Sequence, residues 1–300
     1  MKLRAAFLVF FASLAHGATA TNAPIDLTIP LAPEPATDAE VFDESVIFAP
    51  NFGVNQNDPA LSDLFSKAGL SNLCFPTTLA EDLIFLKGFS NPKFASLQLA
   101  GTSQDGKTVD PNALIRQLAK DCKTNAETGT FDFDGLNCAL ALAGNAQLIS
   151  PFDQSPAGLN PPLPIETRQV KIEDIRNTLK RGVPAILEVA WFKFDAPTRT
   201  WIRDSGHYVG VYGYDYDNSW GENQIQLKII NPEMNYGTSR QYAQFDTVTI
   251  ERVSPQPGII YPANRPFIAT GSGFGGSTDR GFVGTLLTVD PATAPGMIGQ

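Results

Sequence analysis

Hydrophobic positions along this chain keep two different periods. Within 57–181 they recur every three or four residues in short blocks: Leu79, Leu83 and Leu86 share one face of a predicted helix over 76–88. Four more blocks read the same way, at 58–67, 110–121, 134–143 and 171–181. Asp58 followed by Pro59 supplies an N-cap and a first helical residue, and Gly69, Gly88 and Gly182 stop their helices. Beyond residue 182 the period changes to two, with branched and aromatic side chains at 183–191, 207–214, 224–230 and 247–253, and a late run at 282–289. Helices first and neighbouring strands afterwards predict an α+β layout, a helical first half packed on an antiparallel β-sheet. A Pro/Gly-rich connection at 150–164 separates the two halves.

The ends carry no such period. Lys2 and Arg4 precede the apolar run 5–14, and Ala18 and Ala20 offer a small-residue cleavage site, so 1–20 reads as a secretory signal peptide. That apolar run is shorter than the roughly 20 residues a membrane span needs, and the mature chain is expected to contain no integral membrane segment. Residues 21–50 read as an extended or disordered leader and 255–300 as a Gly/Pro-rich extension, leaving 51–254 as the main domain.

Charge narrows the partners. Without Lys2 and Arg4 the chain has 20 basic and 31 acidic residues, about −11 net, and its basic residues form no cluster. This argues against nucleic acid and anionic membrane surfaces. A secreted or periplasmic location allows disulfides, and Cys122 and Cys138 are the natural pair, close in sequence and on helices joined by a turn. Cys74 is then left as a free thiol at or just before a helix N-terminus, where the helix dipole favours thiolate. Its plain alternative is a small buried hydrophobe.

A cysteine nucleophile needs a base and the base an orienting partner. His207 is the only histidine after His16, at the mouth of a strand. Strands 207–214 and 224–230 should form a hairpin centred near residue 219, which sets Asn231 opposite His207. Asn218, in Asn-Ser-Trp-Gly at 218–221, lies at the hairpin tip and reads as a solvated turn residue.

Four blocks taken together resemble the C39-like branch of papain-fold cysteine peptidases. They are the Cys74-Phe75-Pro76-Thr77 helix start, the strand at 182–187, Gly206-His207-Tyr208-Val209 with its strand, and Asn231-Pro232. The resemblance implies a papain-like fold over 51–254. It also implies a secreted hydrolase of peptide or isopeptide bonds, with Cys74 as nucleophile, His207 as general base and acid, and Asn231 as orienter. The alternatives are an acyltransferase or amidase of the same fold, or a catalytically weak peptide-binding module. The family's oxyanion-binding glutamine has no counterpart just before Cys74, where Ala68 stands, so Gln56 is the candidate, with Asn72 as substitute. Phe75 replaces the usual glycine.

No cofactor or metal is expected, and no pattern names an oligomeric partner. Asp215, Asp217 and Ser219 lack the glycine and the bidentate glutamate of a calcium loop. Zinc would need more than one histidine and one free cysteine. Asp132 with Asp134, and Glu81 with Asp82, fit helix N-terminal charge better than glycosidase acids. The glycines at 271–276 neither follow a strand nor open a helix, against phosphate binding.

Overall fold

The computed structural model describes residues 21–29, 42–48, 50, 52–90, 94, 95, 97–152, 164–233, 245–271, 274 and 279–289. The signal peptide, most of the middle of the leader and the C-terminal end of the extension lie outside the described residues.

In chain order the elements are β1 (Ile25–Asp26), β2 (Glu44–Ile47), a 3-10 turn (Pro59–Leu64), α1 (Cys74–Phe85), β3 (Thr108–Val109), α2 (Pro111–Asp121) and α3 (Asp132–Ala143). They continue with β4 (Gln147–Ser150), β5 (Ile165–Thr167), α4 (Ile172–Lys180), β6 (Ala185–Asp195) and β7 (Thr200–Tyr216). A second 3-10 stretch (Asn218–Asn223), β8 (Gln224–Ile230), β9 (Asp246–Arg252), β10 (Phe267–Gly271) and β11 (Asp279–Thr288) complete the order.

The expected architecture, a papain-like helical half on an open antiparallel sheet, is overturned. β10 pairs with β9 on one side and with β11 on the other, so β6, β7, β8, β9, β10 and β11 close into a six-stranded antiparallel barrel. Strands β4 and β5 continue outward from β11, and β2 adds to β7. The helices are few and short. The strands that close the ring come from the stretch that reads as a Gly/Pro-rich tail. Glycine runs hide the alternation of β10 and β11, and closure removes two sheet edges that would otherwise need cover.

Burial explains why the periods in sequence were uneven. On β8 Ile225, Leu227 and Ile229 alternate into the barrel with more exposed residues between them. On β6 the residues from Ala185 to Ala190 are all buried, because helix α1 packs against the strand from outside the barrel. The barrel interior is filled by Leu187, Val189, Val211, Leu227, Ile250 and Val283 among others.

Helix α1 is the one element buried along its whole length. It starts at Cys74, two residues before the expected helix, so Glu81 and Asp82 fall in its middle and not near its N-terminus. The leader stretch is also tied down where it is described. β2 pairs with β7 from Glu44↔Tyr216 to Ile47↔Gly213, and Asn22 exchanges hydrogen bonds with Asn55.

Candidate functional site

Helix α1 places Cys74 by its own geometry and by two hydrogen bonds and one ring contact to β7. Leu73 caps the helix without a side-chain bond, and the first intrahelical bond runs from Thr77 N–H to Leu73 O at 2.9 Å. The Cys74 amide therefore precedes the hydrogen-bonded turns and is free to face a negative charge. One helical turn on, the Thr78 hydroxyl donates to the Tyr208 carbonyl at 3.3 Å, and one turn further Asp82 Oδ1 accepts from the Tyr212 hydroxyl at 2.9 Å. Phe75 meets Tyr208 edge to face, with ring centroids 5.0 Å apart. Since Tyr208 follows His207, these contacts fix the spacing between thiol and imidazole.

The ring of Phe75, next to Cys74, is given room on α3. A Cβ at Gly135 would lie 2.4 Å from Phe75 Cζ, so the absence of a side chain at 135 admits the ring.

The structure brings Cys74, His207 and Asn231 together. Cys74 is a free, buried cysteine, and its hydrogen-bonding and charge effects are the largest influences that raise the His207 pKa. On the other side of the ring, His207 Nε2 lies 2.8 Å from Asn231 Oδ1. A carbonyl oxygen can only accept, so Nε2 carries the hydrogen and Nδ1 is left for the thiol proton. The same Asn231 oxygen accepts the Glu233 backbone N–H at 3.0 Å, which holds the amide in this orientation.

The hairpin register differs from the one read in the sequence. Gly210 pairs with Ile230, so the centre falls at 220 and a continued ladder would bring Asn231 level with Val209, two residues from His207. An even offset keeps Asn231 on the same side as His207, within diagonal reach. Asn218 is exposed in the 3-10 stretch, and its N–H donates to Asp43 Oδ2 at 2.7 Å.

Gln56 is far from Cys74 in sequence but lies between the two loops of the site. Its backbone N–H donates to Pro232 O at 3.0 Å, and its own carbonyl accepts from the Ser71 hydroxyl at 2.8 Å. Only 1% of it is exposed, and its Nε2 donates to Glu233 Oε1 at 3.3 Å. Asn72 is committed elsewhere, donating its side-chain amide to Ala126 O at 2.7 Å. Of the two amide candidates, Gln56 is the one poised by Glu233 and the imidazole.

Glu233 was not picked out from the sequence. Its Oε1 lies 3.9 Å from His207 Nδ1, so one carboxylate touches both the base and the Gln56 amide. Its place two residues after Asn231 was the one available signal. Burial pushes the His207 pKa down, but the hydrogen bond and negative charge of Cys74, with help from Glu233 and Asn231, outweigh it and raise the pKa to about 9.

The remaining residues singled out in the sequence have structural partners. Cys122, the C-cap of α2, is disulfide-bonded to Cys138 on α3. Asp215 is held by Ser45 and by Lys228 at 2.8 Å. Asp134 pairs with Lys123, and Asp132 accepts the Tyr208 hydroxyl. Among the described residues no group of three or more His, Cys, Asp and Glu side chains could hold a metal ion, and no helix is long and apolar enough to cross a membrane. No family model matches the chain, and no curated protein matches it. The roles of these residues therefore rest on their geometry.

Proposed function

We propose that this chain is an exported cysteine hydrolase that cleaves peptide or isopeptide bonds through a thioester. The observation that carries the reading is a buried His207 imidazole bonded to the Asn231 amide and influenced most by Cys74, the first residue of helix α1, with Gln56 buried nearby. Each residue has one chemical task. His207 Nδ1 takes the Cys74 proton, and the thiolate adds to the substrate carbonyl, forming the C–S bond as the C=O electron pair moves to oxygen. The Cys74 amide and Gln56 Nε2 are the donors suited to that oxygen once the half-exposed Glu233 side chain turns away. Imidazolium then protonates the leaving amine as the C–N bond breaks. In the second half His207 deprotonates water, which attacks the thioester; the acid leaves and the thiol recovers its proton. The Cys122–Cys138 pairing fits an oxidising compartment.

Alkylation by iodoacetamide between pH 4 and 10 tests the reading. Cys74 is expected to react well below pH 8.5, the range of an ordinary thiol, and the low-pH reactivity to disappear in His207→Ala. An unchanged profile in that variant, or ordinary thiol behaviour in the native protein, would remove the basis for catalysis.

A further inference from the structure

A cavity of about 300 Å³ opens beside Cys74, and its lining is charged. Cys74, Asp132, Glu188, Arg203 and Arg265 contribute to it, with the exposed ring of Phe131 and the partly exposed ring of Phe152 also lining it. Glu188 is 3% exposed and is held from two sides: Arg265 Nη2 lies 3.0 Å from its Oε2, and Arg203 Nη2 lies 2.8 Å from its Oε1.

This cluster is built into the fold. A Cβ at Gly284 would fall 1.8 Å from Glu188 Oε2 and 2.3 Å from Arg265 Nη1, so β11 leaves the space the ion pair occupies. Arg265 is spent inside the protein, since its Nη1 also donates to the Phe282 carbonyl at 3.3 Å. Burying such charges carries a large desolvation cost and is weak as a source of stability. Its structural consequence is a fixed Arg203.

Arg203 differs from Arg265 in two ways. Its side chain is 53% exposed, and among the described residues only Nη2 is bonded, which leaves Nε and Nη1 open. A bulge opposite Trp191 and Phe192 re-aims the strand at Asp204, and Gly206 lets the guanidinium lie against β7 next to His207, where a Cβ would sit 3.0 Å from Nη2. Nη2 carries two hydrogens and belongs to both forked edges of the guanidinium, so the one not given to Glu188 can join Nε–H or Nη1–H as two parallel donors. Asp132, also in the lining, accepts the Tyr208 hydroxyl.

We propose that this cavity is a recognition pocket for a carboxylate-bearing side chain of the substrate, with Arg203 as the specificity-determining residue. The proposal rests on Cys74 being the nucleophile only for the position of the cleaved bond. Glu188 and Arg265 are positioning residues that hold Arg203. A lysine or arginine side chain is rejected by the same guanidinium, and the neutral amides of Gln and Asn lose the charge-assisted bonds.

Immobilised Cys74→Ala protein, exposed to a random pool of acetylated and amidated hexapeptides, tests the pocket without any catalysis. Mass spectrometry of the retained peptides should show Glu and Asp enriched about tenfold over Gln and Asn. Adding Arg203→Gln should abolish that enrichment and Arg203→Lys should keep part of it, with melting curves checking that both variants fold. An unselected or empty retained fraction, or enrichment that survives Arg203→Gln, overturns the pocket. Acidic selection without Cys74-dependent cleavage of the same pool upholds the pocket and rejects the hydrolase.

Discussion

Asn231 Oδ1 meets His207 Nε2 at 2.8 Å from a position just past the end of strand β8, two ladder steps from direct opposition. The bond determines which ring nitrogen is available to Cys74. Replacing Asn231 by Ala removes the acceptor and frees the ring to rotate, so cleavage should fall by roughly a hundredfold, a typical share of a positioned base. Asn218→Ala should leave the rate unchanged. Steady-state rates of the two variants, measured side by side, check the assignment; the opposite result would give the role to Asn218.

Glu233 holds the imidazole in its charged form from the solvent side. With Glu233→Gln the carboxylate charge near Nδ1 is lost, and the His207 pKa should move down from about 9. After residue 20 this is the single histidine in the sequence, so one imidazole resonance reports it. A raised folded-state pKa contributes stability that is fully present below the unfolded value of 6.5 and is lost as pH rises through about 9. The variant should lose that stability at lower pH. An NMR titration that does not move would exclude Glu233 as a cause.

Asp82 gives a second pH dependence with the same sign. Burial raises its pKa from 3.8 to about 7, against the smaller lowering effect of the Tyr212 hydroxyl, and its Oδ2 has no partner among the described residues. The folded chain therefore holds this proton more tightly than the unfolded chain, and stability falls as pH rises from 3.8 through 7. Asp82→Asn keeps an acceptor for Tyr212 and removes the ionisation. It should be more stable than the native protein above pH 7, by on the order of 4 kcal/mol at most, with a smaller difference at pH 5. Urea melts at both pH values measure this. An equal difference at each pH would show that folding does not raise the Asp82 pKa.

Much of the candidate site was legible along the chain. Cysteine count, the Cys74-Phe75-Pro76 helix start and the single histidine strand named Cys74 and His207, and hairpin symmetry named Asn231 despite being one position off in its centre. Gln56 could be nominated only as a glutamine beyond a helix. Backbone bonds to Ser71 and Pro232 place it at the site, and these join loops more than 150 residues apart in sequence. Arg265 gave no signal, because a basic residue among glycines and prolines has no periodicity to mark its burial.

By itself, the sequence determined roughly where the local elements lie, where the period becomes two, and which residues are candidates for nucleophile, base and orienter. Such features depend on neighbours within a few residues, through capping, dihedral preference and alternation of side chains. Only the tertiary structure decided that the strands close into a barrel, that α1 lies wholly buried against β6 and β7, and that Glu188, Arg203 and Arg265 share a cavity with Cys74. Those outcomes depend on pairings between distant segments, such as Ile268↔Phe282 and Ile268↔Glu251, which settle which edges meet and which charges are buried together.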